Sequence, residues 1–186
     1  FDGMRFTDVP GFHRWSQKGE VWFESYSSST ATLEAVRVVA RLIEESRRGI
    51  IVVGNLRSSW DGSDDQTLIS QEISDFAKMI GFPIFAGAQS AVLRFSSSAV
   101  VPFAEHILKC SIVSENLKPD LVIQIGAPLV STEIANVIMS AREVGFGSHV
   151  LLHPHVPQER ADPEFTVTHR ISSDIAPFVR AVSDEL

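Results

Sequence analysis

The stretch Lys118-Pro119-Asp120-Leu121-Val122-Ile123-Gln124-Ile125-Gly126-Ala127-Pro128 decides how the rest of the chain is read. A Lys-Pro-Asp turn signal leads into a nearly unbroken run of aliphatic and β-branched residues, which Gly-Ala-Pro then breaks. A run that is apolar on both faces suits a strand in the middle of a parallel sheet, with helices on either side. Ligands of open α/β sheets sit just past the carboxyl ends of strands. Gly126 to Glu133 is therefore the first candidate binding loop, and Ser131 onward reads as the start of a helix.

Working outward, the same alternation recurs. Leu33, Val36, Ala40 and Ile43 follow helical spacing, with Gly49 placed to follow the helix end. Gly49 to Gly54 then reads as a buried strand, followed by a polar loop from Asn55 to Gln66. Ser63-Asp64-Asp65-Gln66 fits a capping box, and Ile69, Ile73, Phe76 and Ile80 form the stripe of the helix it opens. Gly81 closes that helix, and Pro83 to Gly87 is a second strand. Residues 88–101 carry no clear pattern, and Pro102 to Leu117 reads as helical in part. Beyond the central stretch come a helix at Ser131–Val144, a strand at His149–Leu152 and a proline-rich loop at His153–Pro163. A short strand at Thr166–Ile171 follows, then a helix lined by Ile175, Phe178, Val179, Val182 and Leu186. Alternating strands and helices predict an α/β fold: a three-layer α/β/α, Rossmann-like domain with a mostly parallel, doubly wound sheet. That domain is expected to span residues 30–186. Residues 1–29, crowded with Phe, Trp and Tyr among Gly, Pro and Ser, read as an N-terminal arm or linker.

A net charge of -7 argues against a nucleic-acid surface, because nothing would offset phosphate repulsion. No apolar run approaches the roughly 20 residues a membrane span needs. The one cysteine, Cys110, excludes an internal disulfide and reads as a buried, inert thiol. The chain starts at Phe1 and reads as a segment of a longer polypeptide. The motifs of common chemistries are missing. Gly54-Asn55-Leu56 has one glycine where the dinucleotide fingerprint needs three, and neither a P-loop nor a G-x-S-x-G elbow is present. His149, His153 and His155, with Asp162, tempt a metal reading. However, the His-Pro-His step points two rings apart and no second cluster completes a site. Asn55–Ser59, Gly126–Glu133 and His153–Arg160 are expected to converge at one edge of the sheet, as a contact surface without a nucleophile–base pair.

A family resemblance rests on an ordered set of residues. Gly49–Gly54, the Gly81-Phe82-Pro83 step, Asp120–Gly126 with its loop and helix, Asp162-Pro163 and Val167-Thr168-His169-Arg170 occur in that order. Together they resemble the central domain of MenD, the thiamine-diphosphate-dependent synthase of 2-succinyl-5-enolpyruvyl-6-hydroxy-3-cyclohexene-1-carboxylate. The Val-Thr-His-Arg segment is most similar to the version in the multifunctional plant and algal proteins of phylloquinone synthesis.

The resemblance implies an enzyme that decarboxylates 2-oxoglutarate and adds the four-carbon unit to isochorismate. It implies thiamine diphosphate and Mg2+ or Mn2+ held by flanking pyrimidine- and diphosphate-binding domains, with no cofactor and no catalytic residue in this segment. A homo-oligomer is implied when full length, in the chloroplast for the plant or algal type and otherwise in the cytoplasm. The family often carries a Lys-Arg pair just after the strand-end loop, suited to substrate carboxylates. Here those positions are Thr132 and Glu133, and a glutamate cannot do a cation's work. Thr132, Glu133, Arg57 and Arg170 are the candidate substrate contacts. Two other classes stay open: a nucleotide-binding domain of the transhydrogenase or flavoprotein kind, and a non-catalytic interaction module.

Overall fold

The computed structural model describes residues 30–56, 66–94, 96–127, 131–143, 147–154 and 166–186. The expected arm at 1–29, the capping serine Ser63, His155 and Asp162 lie outside these residues. Helix α1 (Leu33–Glu45) starts where the Thr32 hydroxyl accepts from the Ala35 amide at 3.2 Å. Strand β1 (Gly49–Val53) follows, then α2 (Gln66–Ile80) and β2 (Ile84–Ala86). A 3-10 turn at Ala91–Arg94 leads to two short helices, α3 (Ala104–Leu108) and α4 (Ser111–Asn116). The chain continues with β3 (Leu121–Ile125), α5 (Thr132–Glu143), β4 (Ser148–His153), β5 (His169–Ser172) and α6 (Ile175–Glu185).

The five strands form one all-parallel sheet in the order β2-β1-β3-β4-β5. The expected doubly wound α/β architecture is what the chain adopts. The central stretch is the middle strand, with all five residues of β3 buried. Successive strand residues point to opposite faces, so each face has its own core. Ile51, Val53, Ile123 and Ile125 pack with α1, α2 and α6. Ile50, Val52 and Val122 pack with α3 and α5 on the other side.

Several expectations need correction. Gly49 does not end α1: Ser46 occupies the cap and Gly49 opens β1, where a side-chain carbon would lie 2.0 Å from the Phe82 ring. Leu33, placed by spacing on the apolar stripe, is 56% exposed; it is the first residue of α1, whose buried side is Val36, Val39, Ala40 and Ile43. Leu186 is also exposed. β5 begins at His169 and not at Thr166, since the Thr166 hydroxyl sits 2.9 Å from the ring Nδ1 of His149 instead. Cys110 is exposed. It falls in the break between α3 and α4, and the residues that turn inward there are Ala104 and Leu108. Gly81 does close α2: its φ of 74° is the left-handed value of a helix stop, and the Phe82 amide bonds back to the Ala77 carbonyl at 3.0 Å.

Candidate functional site

β1 and β3 are neighbours whose connections leave in opposite directions along the sheet, so the crevice beyond their carboxyl ends is the topological switch point. A cleft of about 380 Å³ opens there. Gly54 and Asn55 form one wall, Ser131 to Glu133 another, and Gly87 to Ser90 with Glu105 the third. Two of the three expected regions therefore meet. The third wall comes from the end of β2 and from α3, while of His153–Arg160 only His153 and Pro154 fall among the described residues, and neither lines the cleft.

The floor of the cleft is made by backbone. The Gly54 amide donates to the Ile125 carbonyl at 2.9 Å, and Ala127 donates to Asn55 at 2.9 Å. Gly126 donates to Leu152 at 3.0 Å and Gly87 to Val53 at 3.0 Å. A side-chain carbon on Gly54 would lie 1.9 Å from the Ala127 carbonyl oxygen. On Gly126, whose φ is 84°, it would lie 2.5 Å from that of Asn55. These glycines let two strand-end loops touch each other. All four amides are committed to carbonyls.

The side chains around the rim are acidic. The Glu133 carboxylate lies 3.8 Å from Lys109 Nζ, and Glu105 faces the same space. α5 begins where the Ser131 hydroxyl accepts from the Ile134 amide at 3.4 Å, which puts Thr132 and Glu133 in the first turn. A carboxylate is welcome at a helix N-terminus, so the fold favours Glu133 there whatever it contacts. Thr132 and Glu133 thus line the cleft. Arg170 is exposed on β5, the edge strand two strands from β3, and does not line it. Arg57 lies outside the described residues. Glu105, on a short helix with no sustained period, and Gln89, in the turn after β2, also line the cleft, and no sequence pattern marks either.

Two other polar clusters serve the scaffold. His149 is buried, its Nδ1 2.9 Å from Thr166 Oγ1 and its Nε2 3.1 Å from Gln124 Oε1. An amide oxygen only accepts, so Nε2 donates and Nδ1 accepts the threonine hydroxyl. Among the described residues no group of three or more His, Cys, Asp or Glu side chains could hold a metal ion. At the opposite end of the sheet, the Asp120 carboxylate accepts from the Ser46 hydroxyl and from the Arg47 and Arg48 amides at 2.9 and 3.0 Å. Burial pushes the Asp120 carboxyl up, but these three donors outweigh it and hold the group below its ordinary value. That carboxylate staples the α1–β1 turn to the start of β3.

Comparison with known proteins agrees with this architecture. A 2-succinyl-5-enolpyruvyl-6-hydroxy-3-cyclohexene-1-carboxylate synthase from Rubrobacter xylanophilus is 26% identical over 80% of this chain and 24% of its own length. The same synthase from Rippkaea orientalis is 28% identical over 71% of this chain and 21% of its own. Protein PHYLLO, chloroplastic, of Arabidopsis thaliana is 23% identical over 86% of this chain and 9% of its own. The chain thus spans a quarter or less of these relatives' lengths. Among solved structures, a putative thiamin diphosphate-dependent enzyme from Mycobacterium smegmatis aligns with a TM-score of 0.52 at 18% identity, over 89% of this chain and 30% of that one. A sirtuin structure aligns with a TM-score of 0.56 at 14% identity, over 81% of this chain and 97% of that one, which is a likeness of fold alone. The family model described as "Middle domain of thiamine pyrophosphate" matches residues 9–185, and the chain belongs to that family.

Proposed function

We propose that this chain is the central domain of a thiamine-diphosphate-dependent synthase that decarboxylates 2-oxoglutarate and adds the four-carbon unit to isochorismate. The pathway would be menaquinone or phylloquinone biosynthesis, in the chloroplast if the parent protein is of the plant type and in the cytoplasm otherwise. In this reading the domain supports assembly and borders the substrate site, through Thr132 and Glu133 at the cleft and with Arg57 as a cationic contact. The parent would be a homo-oligomer, and this segment alone would be inactive.

The observation that carries the reading is a family match over nearly the whole chain, joined to relatives that are named synthases of this kind. The described residues do not fit the diphosphate of the cofactor. Glu105 and Glu133 would repel it, and no described cation lines the cleft. In this reading the cofactor, metal and catalytic groups would belong to flanking pyrimidine- and diphosphate-binding domains.

Calorimetric titration of the full-length protein tests this. Saturable binding of thiamine diphosphate with Mg2+ is expected, with none of ADP, NAD(P) or FAD at micromolar concentration. The reverse result would transfer the chain to the nucleotide-binding class.

A further inference from the structure

The ridge formed by α3 and α4 carries apolar side chains that the domain does not cover. Phe103 is 80% exposed, Ile112 72% and Ile107 38%. α3 turns Ala104 and Leu108 inward, so its outer side is the one left bare, and α4 has no fully buried residue, with Val113 half-buried against the same core. Phe103 is also the one non-glycine among the described residues with a positive φ, at 52°. Its ring gains no burial within the domain from that left-handed conformation. Single exposed apolar residues are ordinary, but several on one short helix pair mark a contact surface. The ridge is continuous with the cleft: Glu105, between Phe103 and Ile107, lines it, and Lys109 reaches Glu133 across its rim.

We propose that the α3–α4 ridge is the docking surface for an apolar patch on a neighbouring domain of the same polypeptide, and that docking there closes the cleft on the Glu105 side. The inference rests on the reading of this chain as one domain of a larger synthase. The occupant follows from length: the chain accounts for 24% of the Rubrobacter relative, so a polypeptide of that kind has other domains to supply. It also follows from position, since the ridge runs into the rim of the cleft that those domains would complete. Phe103 and Ile112 would act as the buried anchors, with Glu105 and Lys109 at the polar margin.

Cys110 is the chain's one cysteine, is exposed, and lies between α3 and α4, which makes it a reporter for the ridge. The experiment is maleimide labelling of the full-length protein, with the Cys110 peptide quantified by mass spectrometry. Labelling is expected to be on the order of tenfold slower than in the urea-unfolded protein, because the thiol reacts only when the docked surface opens. That protection should survive dilution and should weaken in Ile112→Ser, a change at a position exposed within the domain. Labelling at the unfolded rate would overturn the proposal. Protection that vanishes on dilution would also overturn it, by assigning the ridge to a second copy of the chain. The readout needs no turnover. A protected Cys110 in a protein without synthase activity would sink the functional reading and leave the docking surface; free labelling in an active synthase would do the opposite.

Discussion

The two faces of the sheet are built differently. On one, α1, α2 and α6 lay long apolar stripes over the strands, and among the described residues that core counts 25 buried residues. On the other, two short helices and α5 contribute to a core of 10 among the described residues, to which α4 adds the half-buried Val113. Burial of apolar area is the main favourable term in folding, so the first face holds the domain together. The second face is covered by fewer buried residues and carries the exposed Phe103, Ile107 and Ile112.

Substitutions should separate the two faces. Phe178→Ala, in the buried stripe of α6, should cost about 3–5 kcal/mol of unfolding free energy by urea titration. A loss below that of an exposed residue would break the contrast. Gly54→Ala, which drives a carbon into the Ala127 carbonyl, should cost about 1–3 kcal/mol and loosen the floor of the cleft, seen as faster amide exchange at Gly54 and Ala127.

Asp120→Asn tests the staple at the amino end of the sheet. The folded carboxyl titrates below its ordinary value, so its stabilisation is complete above the ordinary carboxylate range. It is lost as pH falls from that range through the depressed folded value. Wild type should exceed Asp120→Asn by about 1 kcal/mol at neutral pH, allowing for partial exposure. The two should converge in acid; a constant gap at all pH values would mean that charge is not what holds the turn. Glu133→Arg restores a cation at the cleft rim and should lower the Michaelis constant for 2-oxoglutarate severalfold if that rim meets the substrate. An unchanged constant would place Glu133 outside the site. Ile112→Ser should shift the stability of this domain by less than about 0.5 kcal/mol, as exposed positions do.

The sequence was legible where its pattern was local. The runs at 49–53 and 121–125 are apolar on both faces, and only a strand covered by helices buries both. α2 and α6 declared themselves by the stripes Ile69, Ile73, Phe76 and Ile80, of which Ile73 and Phe76 are fully buried, and Ile175, Phe178, Val179 and Val182. Residues 88–101 resisted because their order comes from contacts distant in sequence, whereas the partly helical reading of Pro102–Leu117 matches α3 and α4. Val100 bridges Ile84, and the Val101 amide donates to the Ile84 carbonyl at 2.9 Å. Cys110 misled for the same reason: it sits among apolar neighbours, but a break in the helix turns it outward. At the cleft, the Gly126–Glu133 loop was visible from the strand before it. Glu105 and Gln89 were not, since they reach the switch point from another strand's connection.

The central claim is that this fold belongs to a synthase whose chemistry is done on domains around it. Its most direct test is release of labelled carbon dioxide from 2-oxoglutarate by the full-length protein, with isochorismate present and with thiamine diphosphate added or withheld. The account predicts release that depends on the cofactor and yields the four-carbon adduct of isochorismate. Full-length, folded protein that binds the cofactor yet releases no carbon dioxide from 2-oxoglutarate would contradict it.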